Sequence, residues 1–494
     1  MRILKFVAAG VGVVVVLAAA AAGAIWVAGY RVQLDGSGTP RLALRLPAAQ
    51  LAESVEAHRQ SQRRETPDPV AAAEPLPSAS VSPEAAAVSV GEPAPAAPEA
   101  SRPATPSRRL YWTGFRGPLR DGHYQEGPVR TDWPAAGLTP LWKQPIGGGY
   151  ASFAVAEGRA FTIEQRRTEE VVAAYDVATG LELWTHAWDG DFKEWMGGDG
   201  PRATPTWVDG RLYALGAEGE LRALDAETGA QIWRVNILED NGVSNLTWGM
   251  AASPLVFDDL VVVHPGGPGG RSVVAYDRHT GVRRWSALDD KAAYSSPLLA
   301  TIAGERQILV ITAARIAALT PETGALRWSH PWPAPNDINA SQPVLAGRDR
   351  ILLSSGYGTG AALIEVRAAG GGFETREVWK HNRLKNRFSS SLVHEGHVYG
   401  LDETILTCLD LETGEVRWKA GRYGHGQLVL ASGHLIVLTE DGDLALVRAT
   451  PDRHDERARF PVLNGKTWNH PVIDDGRLLV RNLAEMAVFD LRVR

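Results

Sequence analysis

From residue 140 to the C-terminus, short apolar runs alternate with polar turns that carry glycine, the pattern of half-buried β-strands joined tightly. Leu212-Tyr213-Ala214-Leu215, for example, follows Asp209-Gly210-Arg211, and the same kind of turn recurs at Glu157-Gly158-Arg159, Glu395-Gly396-His397 and Asp475-Gly476-Arg477. One longer phrase returns five times, at 174–184, 223–233, 275–285, 318–328 and 408–418. In each copy a Thr-Gly pair is followed, four residues after the Gly, by Trp. In four of them Asp stands three residues before the Thr, and in the fourth copy Thr320 takes its place. A weaker copy ends at Glu377-Val378-Trp379.

A second, independent count comes from the small residues that open each unit. These are Ala151-Ser152-Phe153, Ala203-Thr204-Pro205, Ala252-Ser253-Pro254, Ser295-Ser296-Pro297, Ser341-Gln342-Pro343, Ser389-Ser390-Ser391, Gly426-Gln427-Leu428 and Asn469-His470-Pro471, eight in all. Repeats of roughly 40–50 residues with four short strands each predict propeller blades. The expected fold is all-β: an eight-bladed β-propeller of four-stranded blades. The eighth unit ends after its third strand. Leu141 to Ile146, with its own Trp142, is the available fourth strand, so Trp142 should pair near residues 487–491 and close the ring.

The N-terminus has a different texture. Arg2 and Lys5 precede an apolar run from Phe6 to Ala28, long enough to span a bilayer. Two readings stand: an uncleaved signal-anchor, or a signal peptide cleaved near Ala22-Gly23-Ala24. Basic residues ahead of the run place the body outside the cytoplasm, periplasmic or extracellular, on a single-pass inner-membrane anchor. Pro47 to Arg64 reads as a short polar helix. Residues 65–107 are dominated by Pro, Ala, Ser and Glu and are expected to be disordered, a tether of roughly 35 Å or more holding the propeller off the membrane. The domains are then 1–30 (anchor), 31–107 (juxtamembrane segment and linker) and 108–494 (lead-in 108–139, blades 140–494).

Composition narrows the chemistry. The formal net charge of −6 offers no basic field for nucleic acid. Cys408 is the only cysteine, which excludes an intrachain disulfide, a Cys-x-x-Cys-His haem site and a cysteine zinc site. It stands where the other phrases have Ala, as a small core residue would. The run His264-Pro265-Gly266-Gly267-Pro268-Gly269-Gly270 has no Gly-Lys-Ser/Thr ending and is not a phosphate cradle. No Gly-x-Ser-x-Gly is present.

The recurring phrase resembles the tryptophan-docking motif of the pyrroloquinoline-quinone (PQQ) repeat family of eight-bladed propellers, over about residues 140–494. The resemblance implies that Trp142, Trp184, Trp233, Trp285, Trp328, Trp379 and Trp418 form a girdle between blades. The seventh blade departs, with Ala449-Thr450-Pro451 in place of the Thr-Gly turn and Phe460 in place of Trp. Tyr111 to Gly122 resembles the lead-in that precedes many propellers of this family.

In a propeller, the segments ahead of each inner strand gather at one mouth of the central channel. Here they carry Arg202, Asn245, Trp248, Asp289, Asp290, Lys291, Asn339, Lys385, Arg387, Arg422, Trp468 and Asn469, candidates for a convergent polar binding site. The competing expectation is that these groups only brace neighbouring blades.

Two functions follow from the resemblance. One is an envelope scaffold that binds a protein or small ligand without a cofactor, as in the family's assembly-factor branch, and the balance of features favours it. The other is a PQQ- and calcium-dependent dehydrogenase of alcohols or sugars. For that, Asn245, Asp290 and Asn339 would supply calcium ligands, Asp290 would be the candidate base, and Trp248 or Trp468 would stack on the quinone. The adjacent-cysteine pair of the dehydrogenase branch cannot exist here.

Overall fold

A computed structural model describes residues 23, 30–44, 48–65 and 109–493. The apolar run Phe6–Ala28 and the Pro/Ala-rich segment 66–107 lie outside the described residues. Among those described, no helix is long and apolar enough to cross a membrane.

Residues 140–490 form eight antiparallel four-stranded sheets. In blade 1 the strands run Ala154–Ala156, Arg159–Arg166, Glu169–Asp176 and Glu182–Asp189. The first three are buried almost throughout because neighbouring blades cover both faces, so they read as continuous apolar runs. The outermost strand has water on one side and alternates. The last blade takes three strands from the C-terminus (Val472–Asp474, Arg477–Arg481 and Glu485–Asp490) and its outer strand from Pro140–Pro145. Trp142 lies opposite Val488 and Lys143 opposite Ala487, so the ring closes as the truncated eighth unit required.

The recurring phrase has a mechanical explanation. Asp176 Oδ1 accepts from the backbone N and the hydroxyl of Thr179 at 2.8 and 2.7 Å, folding the turn so that Gly180 takes a left-handed φ of 76°. Asp225 with Thr228, Asp277 with Thr280 and Asp410 with Thr413 do the same. The indole of the preceding blade lies across each such glycine. Its Nε1 donates to the carbonyl just beyond the third strand: Trp142 to Val177 at 3.0 Å, Trp184 to Ala226 at 3.2 Å, Trp233 to Arg278 at 2.9 Å. Trp285 to Pro321, Trp379 to Leu411 and Trp418 to Thr450 repeat it at 3.0, 2.9 and 2.8 Å.

Trp328 departs from the series. Between its third and fourth strands blade 5 has no Thr-Gly turn but a long hairpin, Gly360–Ala369 with Gly372–His381, and Trp328 donates instead to Gln307 Oε1 of its own blade at 2.7 Å. Phe460 of blade 7 packs on Trp133 of the lead-in, 5.7 Å between ring centres.

Toward the axis a second tie joins the blades. The opening residue of one blade donates its backbone N to the hydroxyl of the next: Ser152 to Thr204, Thr204 to Ser253, Ser253 to Ser296 and Gln342 to Ser390, each at 2.9 Å.

The lead-in closes one end of the channel. Arg116 and Arg120, both buried at left-handed φ of 62° and 55°, reach carbonyls from several blades. Arg116 donates to Ser390 and Ser391, and Arg120 to Ser253, Pro254 and Pro297. Burial lowers both guanidinium pKa values to about 10, still fully charged at neutral pH.

Two N-terminal elements also pack on the ring. The hairpin of β1 (Tyr30–Leu34) and β2 (Pro40–Leu44) enters the opposite mouth, and α1 (Ala48–Glu65) lies across the ring seam. Ala52, Val55 and Arg59 recur at helical spacing and are buried there. Arg59 donates to Pro145 O at 3.2 Å and pairs with Glu182 at 3.2 Å, and His58 meets Gln144 at 2.9 Å. The polar helix is thus observed, one residue displaced at each end. Residues 30–65 dock on the propeller; the tether expected over 65–107 lies, beyond residue 65, outside the described residues.

Two predictions follow from the packing between blades. Gly229 and Gly210 share a left-handed φ, 75° and 74°. A Cβ at Gly229 would meet Trp184 at 2.5 Å, whereas one at Gly210 would meet nothing within 4 Å. Gly210→Ala should cost about 1 kcal/mol and Gly229→Ala clearly more, about 3 kcal/mol, in chemical denaturation. Equal losses would mean that the indole contact is unimportant. The second concerns Glu170, buried between blades 1 and 2, which accepts from Ala217 N at 2.7 Å and Trp188 Nε1 at 3.0 Å. Burial raises its pKa from 4.5 to about 7. The folded chain holds a proton there that the unfolded chain releases, so this residue's contribution to stability falls between pH 4.5 and 7 and is level above. The stability of Glu170→Gln relative to wild type, whatever its offset, should rise across that window in thermal melts; a flat difference would refute the linkage.

Candidate functional site

The open mouth holds a cavity of about 470 Å³. Its walls come from one register position, the residue immediately before each opening triplet. Tyr150, Arg202, Ala251, Tyr294, Ala340, Phe388 and Trp468 occupy that position in seven of the eight blades and all line the cavity. The eighth, His425, abuts Phe388 at 5.5 Å between ring centres. The chain must turn inward there before the small opening residue, so whatever stands at that position faces the axis.

Seven of the lining residues are Phe, Tyr or Trp. Trp468 stacks on Tyr150 at 5.0 Å and touches Phe388 at 4.6 Å, and Trp248 packs on Tyr294 at 5.7 Å. Phe115 of the lead-in forms part of the floor beside His470, 5.8 Å away. Two guanidiniums lie on aromatic faces: Arg387 is 4.4 Å from the Tyr357 ring centre, and Arg202 is 5.7 Å from that of Tyr150 and 4.8 Å from that of Phe192. Burial lowers the Arg202 pKa. It also holds His470 and His425 neutral, at about 3 and about 4.

One carboxylate organises the rim. Glu440 Oε1 accepts from Trp468 Nε1 at 2.9 Å, and Oε2 from His425 N at 3.1 Å. Lys466 lies 4.3 Å from the Trp468 ring centre and donates to Met196 O at 3.0 Å.

Of the residues expected at this mouth, the structure brings Arg202, Trp248, Arg387 and Trp468 to the cavity. The others do not line it. Asn339 and Asn469 are buried braces: Asn339 donates to Thr312 O and Trp332 O, Asn469 to Gly149 O and Ala151 O. Asn245 donates to Ala217 O at 2.9 Å, and its Oδ1 accepts from Leu246 N. Asp289 accepts from Gly270 N, and Asp290 is bridged by Arg315 at 3.0 Å. Lys291 pairs with Asp337 at 2.9 Å, and Lys385 with Asp402 at 2.5 Å. Arg422 is exposed, and its carbonyl accepts from Arg459. The expected calcium trio of Asn245, Asp290 and Asn339 therefore does not fit the ion, because each side chain is committed to its own blade or the next. Among the described residues, no group of three His, Cys, Asp or Glu is arranged to hold a metal. No step through PQQ and calcium can be derived from these residues.

Polarity alone does not single out the lining, because loop amides and carboxylates in a propeller also satisfy neighbouring backbone. Tyr150, Tyr357 and Phe388 were missed, although two of them could have been found by aligning the residue ahead of each opening triplet. Also missed was the occupant of the mouth, the hairpin tip Leu34 to Gly38, which lines the cavity. Its Asp35-Gly36 pair between two alternating segments was a hairpin signal.

Comparison with known proteins agrees with this architecture. A family model described as outer membrane protein assembly factor BamB matches residues 167–420, just over half of the chain. The BamB protein of Yersinia pestis is 24% identical over 351 residues, covering 62% of this chain and 82% of its own length. A quinohemoprotein alcohol dehydrogenase of Comamonas testosteroni is 35% identical over only 123 residues, 23% of this chain and 16% of its own length. Among solved structures, that same dehydrogenase superposes with a TM-score of 0.57 at 15% identity, covering 79% of this chain and 82% of its own. BamB of Moraxella catarrhalis gives 0.52 at 18% identity, covering 72% and 98%. These structural likenesses speak to the fold alone. The repeat, the closed ring of eight blades and the matched family model together show that the chain belongs to the PQQ-repeat family of β-propellers, the family of the outer membrane protein assembly factor BamB.

Proposed function

We propose that this protein is a membrane-tethered, exported β-propeller that acts as a binding scaffold in the cell envelope, with the aromatic mouth as its recognition site. The observation that carries the proposal is the state of the mouth. Its aromatic and cationic groups converge on a cavity, while the carboxylates and amides that a metal-assisted oxidation would use are held in structural bonds. Rigid aromatic rings and arginines on a concave surface are the groups that dominate protein recognition. The extent of likeness supports the same choice: the similarity to the assembly factor runs across most of both chains, whereas that to the dehydrogenase covers a short stretch. The propeller then faces the periplasm or the cell exterior, with the apolar run Phe6–Ala28 as its anchor.

Trp195, 77% exposed on the loop that also supplies Met196 to the cavity, is an unusually bare aromatic at the rim. A photo-cross-linking residue at position 195 of the full chain in native membranes should give a discrete protein adduct. Absence of any adduct would count against the scaffold. Titration of the full chain with PQQ and calcium should give no saturable heat; calcium-dependent, one-to-one binding lost in Asp290→Ala would overturn the proposal in favour of a dehydrogenase.

A further inference from the structure

The tip of the β1–β2 hairpin is held at the mouth as a ligand would be. Gly36 is buried and both of its backbone groups are recognised: its N donates to Glu440 Oε1 at 2.6 Å, and its carbonyl accepts from Arg387 Nη1. Ser37 Oγ meets His425 Nε2 at 3.1 Å, and Lys466 Nζ donates to Leu34 O at 3.2 Å. The position admits only glycine, since a Cβ on residue 36 would lie 2.1 Å from the His425 ring. The turn is preorganised from within, Asp35 Oδ1 accepting from Ser37 N at 2.9 Å and Thr39 N at 2.8 Å.

Beyond the tip, the side chains that are described are largely exposed. Val32 is 70% exposed, and Ser37 to Pro40 are exposed. An isolated two-stranded hairpin is marginally stable in water. What keeps this one in place is the polar set around Gly36, the Arg41–Asp441 pair at 3.0 Å, and its short connection to docked α1, which maintains a high effective concentration. Such an occupant can be exchanged.

We infer that the channel mouth is a binding site for a glycine-tipped β-turn, filled in the resting chain by its own β1–β2 hairpin, and that a like turn from a partner protein takes its place. This deepens the scaffold proposal and rests on it. Glu440 and Arg387 read the turn's backbone, His425 excludes any side chain at its centre, and departure of the hairpin uncovers the aromatic cavity beneath.

The test uses the full chain and two measurements. Hydrogen exchange followed by mass spectrometry should show residues 30–44 protected in wild type and at least about tenfold faster in Gly36→Val, with α1 unchanged as a control for folding. A fluorescent cyclic peptide carrying residues 30–44 should bind Gly36→Val at least about tenfold more tightly than wild type, whose own hairpin competes. The same peptide with valine in place of its glycine should not bind, and Arg387→Ala placed on the Gly36→Val background should weaken the intact peptide. Unchanged protection in Gly36→Val would overturn the inference, as would equal peptide binding to both chains or to neither. Calcium-dependent PQQ binding would instead remove the scaffold proposal while leaving hairpin exchange measurable, so the two failures are separable.

Discussion

A ring of eight sheets is held by a contact that repeats around it, and here, at six of the eight junctions, it is the indole bonded to its neighbour's turn. The contact makes demands that propagate into sequence. The ring of Trp184 can lie flat only against a residue without Cβ, so the turn must carry Gly229. Asp225 and Thr228 fold the turn that holds this Gly in a left-handed conformation, and the Ala226 carbonyl it presents meets the indole N–H. Asp-x-x-Thr-Gly followed by Trp is therefore two halves of one joint, each belonging to a different junction. Breaking the pattern on one side changes the other. Blade 5 has no Thr-Gly turn, and Trp328 loses its partner across the gap and bonds within its own blade.

The joint also explains why the ring was legible. A contact that repeats with fixed spacing writes itself into sequence at fixed spacing, and the closure by residues 140–145 followed from a missing strand at one end and a spare one at the other. The inner ladder of Ser152, Thr204, Ser253 and Ser296 was visible as small opening residues, although their bonds were not. The mouth was less legible because its chemistry does not repeat. Each blade contributes a different residue at the same register position, and nothing in Arg202 or Phe388 alone says that it faces the axis. Polar residues nearby were more conspicuous but were needed elsewhere. Asn339 donates to the carbonyls of Thr312 and Trp332 and its Oδ1 accepts from Ser355, so both ends of this buried amide are used as a brace.

The segments that precede the blades proved as consequential as the blades. Arg120 ties carbonyls of Ser253, Pro254 and Pro297, and with Arg116 it seals one end of the channel. Neither arginine has a carboxylate partner close enough to offset its burial, so the charge is stabilised by carbonyl dipoles drawn from separate blades. That arrangement fixes the lead-in only when the ring is complete, coupling the plug to closure.

With that end sealed, access to the cavity depends on the other mouth, and there the chain order matters. The apolar run expected to cross the membrane ends at Ala28, and β1 begins at Tyr30. A link that short spans no more than about 7 Å. The segment that follows that run is held twice on the ring, by the hairpin tip at the mouth and by α1 at the seam. Docking residues 30–65 ahead of the linker makes whatever reaches the mouth compete with the chain's own Gly36.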